Sequence, residues 1–193
     1  MVGVTIGGVA ESIGWVLAVV QVPTEPSRHR VAVWRELRKA GAVPVAQGTW
    51  ALPAVDAFRA ALERAGVLAA EGGGTVAVFD AHPRDEAARA LIVDTFRAAR
   101  EDEWREFVAD CGKFTDEIAR EIAKDKFTFA ELEEEEQSLD RLRRWYRDLK
   151  RRDVLTLPAA EAAAELLGDC EHTLDAYADQ VYAASRAANP ATD

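Results

Sequence analysis

The sequence predicts an α+β fold: a small antiparallel sheet in the first 83 residues, followed by long helices. Three observations predict it. Four short apolar, β-prone runs lie between residues 15 and 80, each bounded by proline or glycine, as strands are. Two helical-period segments fall between them, in the order β-α-β-β-α-β. From residue 84 onward apolar side chains recur at three- and four-residue steps, the spacing of a helix face. With 49% of its 193 residues apolar, the chain can bury a sizeable core, and wholesale disorder is excluded.

Residues 1–14 are glycine-rich and poor in large side chains, which predicts a loose N-terminal arm. Trp15–Val22 (WVLAVVQV) is a continuous apolar run stopped by Pro23. Its length and valine content predict a central strand buried on both faces. TEPS follows, with Ser27 as the expected N-cap of a helix over Arg28–Ala40,. Val33 and Leu37, with Val31 and Trp34 beside them, make one apolar stripe on that helix,. Gly41 is its expected C-cap. Ala42–Ala46 and Thr49–Leu52 flank Gln47-Gly48, a pair suited to a tight hairpin. Ala54–Ala70 carries Val55, Phe58 and Leu62 at helical spacing. The glycines at 72–74 turn the chain into Thr75–Asp80 (TVAVFD), a strand ended by His82-Pro83.

The β-α-β-β-α-β order within about 70 residues is the split βαβ, or ferredoxin-like, arrangement. Its two helices cover one sheet face. The other face needs cover, from a partner subunit or from the second half of the chain. Four segments follow from this: an arm over 1–14, a ferredoxin-like βαββαβ domain over 15–83, a bundle of long helices over 84–185 packed on it, and a tail over 186–193. In the helical part, Leu91 to Cys111 and then Phe114 to Ile122 share a stripe, with Gly112 an expected break or kink. Thr128 and Glu131 form a capping box for a helix carrying Leu132, Leu139, Leu142 and Leu149. Val154–Leu157 is a brief strand signal, and Pro158 suits the first turn of a last helix,.

The net charge is −10, and it is unevenly placed. Residues 1–83 hold seven Lys/Arg and seven Asp/Glu, whereas residues 84–193 hold 17 against 27. Acidity of this kind opposes non-specific nucleic-acid binding, so any such contact has to come from a local basic patch. One exists. Between Arg28 and Ala40 six residues are basic or histidine and only Glu36 is acidic. Arg28, His29 and Arg30 sit at a helix N-terminus, where backbone N–H groups and cations converge on an anion. Arg35, Arg38 and Lys39 continue the polar face. A solvated face on a sheet-packed helix is the competing reading.

A second basic run, Arg141 to Arg152, includes Arg141, Arg144 and Arg147; phosphate contact and pairing with acidic helices both fit it. The acidic run Glu131–Glu136 complements a helix N-terminus and does not converge on a cation. Cys111 and Cys170 are expected as small apolar fillers. His29, His82 and His172 lie in separate elements, and no catalytic or metal-binding motif is present,. No catalytic residue, metal or cofactor is therefore expected. No signal peptide or apolar span stands out, which predicts a cytoplasmic protein without a membrane partner.

Two stretches carry a family likeness. VQVPTEPSRHRVAVWRELRKAGAVPVAQGTWALP and KFTFAELEEEEQSLDRLRRWYRDLKRRD resemble the N-terminal domain of the chromate-resistance protein ChrB, over roughly residues 15–185. The resemblance implies a transcriptional regulator of a chromate-resistance operon, with DNA binding in this part. The first half also resembles the middle domain of PaaX-type repressors and the small CRISPR-associated nucleases, which place an Asp at the end of the first strand. Here that position is Gln21, a poor Mg²⁺ ligand, so nuclease activity is not carried over. Full-length members of the ChrB family continue into a chromate-resistance domain, and the chain ends at Asp193. A stand-alone regulator or half of a split pair is the expectation.

The function expected is thus a non-enzymatic DNA-binding regulator, acting as a homodimer on operator DNA through Arg28, His29, Arg30, Arg35, Arg38, Lys39, Arg141, Arg144 and Arg147. The alternative is an interaction module that partners a separate chromate-resistance domain protein. A metal-dependent nuclease or oxyanion-handling enzyme stands third.

Overall fold

The computed structural model describes residues 13–188. Most of the expected arm, and residues 189–193 of the expected tail, lie outside them. The elements run β1 (Trp15–Gln21), α1 (Ser27–Lys39), β2 (Val43–Ala46), β3 (Thr49–Pro53), a 3₁₀ turn at Asp56–Phe58, α2 (Arg59–Glu71), β4 (Thr75–Ala81), α3 (Glu86–Ala123), α4 (Phe129–Arg152) and α5 (Pro158–Ala188). The fold is α+β: a ferredoxin-like sheet followed by long helices. No helix among the described residues is long and apolar enough to cross a membrane. Contacts divide the chain into two compact units. The first is the chain up to Arg100 together with Arg151–Thr156, and the second is Glu101–Lys150 together with the chain from Leu157 onward.

In the first unit the sheet order is β2-β3-β1-β4, antiparallel throughout. Leu17 stands opposite both Ala51 and Phe79. Alternation sends Ala18 and Val20 to one face and Trp15, Leu17 and Val19 to the other. The first face meets the two helices. Ala18, Trp50 and Leu52 pack there with Val33 and Leu37 of α1 and Ala65 and Ala69 of α2. On the second face the Trp15 ring sits edge-on to Phe96 of α3, centroids 5.6 Å apart. So β1 is interior in the sheet, as expected, but it is not buried along its length. Trp15 and Ala18 are buried, whereas Val16, Leu17, Val19 and Val20 are half-buried, because β4 beside them is open.

Proline and glycine set the boundaries. The chain enters α1 through Pro26 at φ −78° and ψ 139°. Ser27, expected as the cap, is instead the first helical residue, and no side chain caps this end; proline already fixes the entry φ and has no N–H to satisfy. At the other end Ala42 N–H donates to Leu37 O and Gly41 N–H to Arg38 O, with Gly41 at φ +86°: a Schellman close. Gly48 turns the hairpin at φ +70°.

Gly41 is the more constrained of the two, since a Cβ there would run into the Arg100 guanidinium. Arg100 is only 3% exposed. It donates from Nη1 to Gly41 O at 2.9 Å and lies over the Phe96 ring at 4.8 Å. Gly41→Ala therefore combines a left-handed φ, costing about 1–2 kcal/mol, with displacement of a buried cation. The expected total is about 2 kcal/mol or more, read as a lower urea midpoint at unchanged slope.

The second unit is helical. Trp104 and Phe107 of α3 meet Trp145 and Tyr146 of α4, with centroids 5.4–6.1 Å apart. On α5, Leu167, Cys170, Leu174, Tyr177 and Val181 are buried. The Tyr177 hydroxyl donates to Lys126 O at 2.5 Å. Two expectations about this half of the chain are corrected. Gly112 does not break α3, which runs unbroken from Glu86 to Ala123. Gly112 faces open space, and buried Cys111, Phe114 and Ile118 outweigh its roughly 1 kcal/mol propensity cost. Val154–Leu157 is a turn rather than a strand. It is apolar because Val154 packs on the core of the first unit and Leu155 and Leu157 are buried. The Thr128 half of the capping box is present, with Glu131 N–H donating to Thr128 Oγ1 at 3.3 Å.

Candidate nucleic-acid interface

Helix α1 presents its charge as a row. Arg28, Arg35 and Lys39 are seven and four residues apart and all exposed, so they line one side over about 16 Å. Arg38 lies beside that row with its guanidinium 5.7 Å from the centroid of Trp34, a ring left 49% exposed. Among the described residues no carboxylate pairs with Arg28, Arg30, Arg35, Arg38 or Lys39, although thirteen other basic residues here do make ion pairs or further contacts. His29 goes elsewhere. It is half-buried, packs where Gly72 has no side chain, and accepts from Arg28 Nε at 3.2 Å.

Arg30 stands apart from the row and lines a cleft of about 430 Å³ with Gln21, Thr24, Trp34, Gln47 and Trp50. Gln21 is exposed there at the end of β1. The cleft offers amide, hydroxyl and guanidinium donors beside two indoles, and among the described residues no carboxylate lines it. Among the described residues no group of three or more His, Cys, Asp or Glu side chains converges on a metal position.

At the C-terminal end of α1 the structure adds cations that sequence reasoning left out of the site. Arg152 donates from Nη1 to Lys39 O at 3.4 Å, and Arg100 holds Gly41 O. Cations at the last carbonyls complement the helix dipole. Lys39, Arg64, Arg151 and Arg152 line a hollow of about 270 Å³ whose only acid among the described residues is Glu36, paired with Arg64 at 3.5 Å. Arg151 and Arg152 belong to the basic run already visible in the sequence. What the run does not reveal is that its last two members join the first unit.

Arg141, Arg144 and Arg147 belong to the second unit. All three are exposed on α4 and none has a carboxylate partner among the described residues. Arg141 donates to Ser138 Oγ at 2.9 Å. Pairing with an acidic helix does occur in this run, at Arg143, whose Nε meets Glu171 at 2.7 Å. Cys111 and Cys170 are free and buried, and the Cys170 thiol points at Cys111 O at 3.6 Å.

The acidic run is not uniformly solvated. Glu131 pairs with Lys126 at 3.0 Å, whereas Glu135 is 8% exposed beside Phe114, Glu117, Leu142 and Trp145 in a cleft of about 530 Å³. Burial, then the charges of Glu117, Glu121, Glu131 and Glu134, push its carboxyl above the ordinary 4.5. A raised carboxyl favours the folded state in its neutral form, and this contribution is lost as pH rises through 4.5 and on to the raised value. Glu135→Gln is therefore expected to be more stable than the parent at pH 7 and equal to it near pH 4, in urea titrations at both pH values. Glu121 has the opposite sign. Lys126 and Lys124 hold it below the ordinary range, so its contribution is lost on acidification.

Fold and site together define a class: an α+β protein with a ferredoxin-like sheet, long helices and an unneutralised cationic helix face. A family model described as "Protein ChrB, N-terminal" matches residues 30–188. The chain belongs to that family, and with it to the proteins associated with chromate resistance. It is similar to Protein ChrB of Cupriavidus metallidurans, 31% identical over 91 residues, which is 47% of this chain. The matched stretch covers 28% of that relative's length.

Proposed function

We propose that the chain is a DNA-binding transcriptional regulator of a chromate-resistance-type operon, acting without catalysis and as a homodimer in the cytoplasm. The observation that carries the reading is the row Arg28, Arg35 and Lys39, left without carboxylate partners among the described residues, on a chain of net charge −10. A cationic face that internal acids do not neutralise, in so acidic a protein, suits a polyanion. The row spans about five nucleotide steps at 3.4 Å per step, a length suited to successive phosphates. Arg30, Gln21 and Gln47 at the cleft have the donor and acceptor types that read base edges. Membership of the ChrB family supports the same reading. The test is fluorescence anisotropy with labelled duplex DNA from upstream of the chain's own operon, at low salt and against a scrambled duplex. Saturable binding that prefers the upstream duplex is expected; no binding to either at low salt overturns the reading.

A further inference from the structure

We infer that the free edge of β4 is where two copies of this chain join, strand to strand about a two-fold axis, in one continuous eight-stranded sheet. The inference rests on the homodimer in the reading above and gives it a location. The two edges of the sheet are built differently. The β2 edge is blunted: it has four residues, includes Pro44, and its register with β3 slips between Pro44 and Ala46. Those are the devices by which an edge avoids pairing. The β4 edge has none of them. Its seven residues pair with β1 in unbroken register, without proline, lysine or bulge, and its outer side has no partner strand among the described residues.

This strand is also exposed on both faces. Val78 on the face of α1 and α2 is 48% exposed, and Phe79 on the opposite face is 56% exposed. Half-exposed apolar residues on both sides of one unprotected edge are what a further strand would cover. The occupant follows from the strand's own sequence. An antiparallel edge can pair with itself about a two-fold axis. Val78 is the midpoint of Thr75–Ala81, so centring the axis there pairs all seven residues. Val78 then meets Val78 of the other copy. Phe79 meets Ala77, large against small. Asp80, the one charge in the strand, faces Val76 and not its own copy, keeping the two carboxylates about 14 Å apart at strand rise.

The test uses the full chain. Val78→Cys places two thiols directly opposite, within the 4.4–6.8 Å Cα range of a disulfide, and mild oxidation should give a covalent dimer on a non-reducing gel. Thr75→Cys faces Ala81 of the other copy, about 20 Å from its own equivalent, and should give none. The native cysteines are buried. Phe79→Lys, at an exposed position, should lower the mass by sedimentation equilibrium from twice 21.1 kDa to 21.1 kDa. A parent that sediments as a monomer overturns both the edge and the homodimer. A dimer that survives Phe79→Lys, with no Val78→Cys crosslink, overturns the edge and leaves the homodimer. Either result leaves DNA binding to the anisotropy assay.

Discussion

Replacing Arg28, Arg35 and Lys39 together by glutamine is expected to flatten the salt dependence of DNA binding and to weaken binding to all sequences alike. Each neutralised phosphate contributes about 0.9 to the slope of log K against log salt. If each of the three contacts one phosphate, the slope falls by about 2.7. Between 50 and 200 mM salt the parent then loses about 40-fold more affinity than the variant does. All three side chains are exposed and none is held by a carboxylate in the described part of the protein, so the fold should be untouched, as an unchanged circular dichroism spectrum would establish. An unchanged slope rules the row out as a phosphate contact. The matching triple of Arg141→Gln, Arg144→Gln and Arg147→Gln separates the two helices: if α4 makes the contacts, the slope moves in that variant instead.

Phe107→Ala should be the most damaging single substitution. The ring is fully buried and packs edge-on against Trp104 and Trp145, and tilted against Tyr146. Truncating a buried Phe costs about 3–5 kcal/mol. Each aromatic pair adds about 0.5–1.5 kcal/mol beyond area burial, and the rigid neighbours leave little room to close the cavity. Against a typical domain stability of about 5–15 kcal/mol, this is a large fraction. Urea unfolding followed by circular dichroism measures it. A loss under about 1 kcal/mol would mean that the aromatic cluster repacks freely.

The sheet half of the fold is legible in the sequence because its signals are local. Pro23 ends β1, Gly41 ends α1 and Gln47-Gly48 turns the hairpin, each by a backbone restriction that needs no distant partner. Gly112 and Val154–Leu157 misled for the converse reason. A mid-helix glycine reads as a break unless the buried stripe on either side is weighed against it. An apolar tetrapeptide reads as a strand until it is seen packed on a core formed more than fifty residues earlier. In the site, the row on α1 was visible as a cluster of charge. The departure of His29 from it was not, since that depends on the close approach of Gly72. The burial of Glu135 was readable in principle: it lies three residues after Leu132 and four before Leu139, on the same stripe. The links from Arg100 and Arg152 to the end of α1 span 59 and 113 residues, and nothing in local sequence announces them.

Those two arginines set an order on synthesis. The sheet, α1 and α2 are all encoded before residue 82, yet the unit they belong to also contains Arg151–Thr156. On the ribosome, the Gly41 carbonyl just beyond α1 waits for Arg100 and the last carbonyl of α1, that of Lys39, for Arg152, and the core waits for Val154 to cover it. The N-terminal part of the protein is thus finished only after all of α3 and α4 has been made, and the sheet is born before the part that completes it.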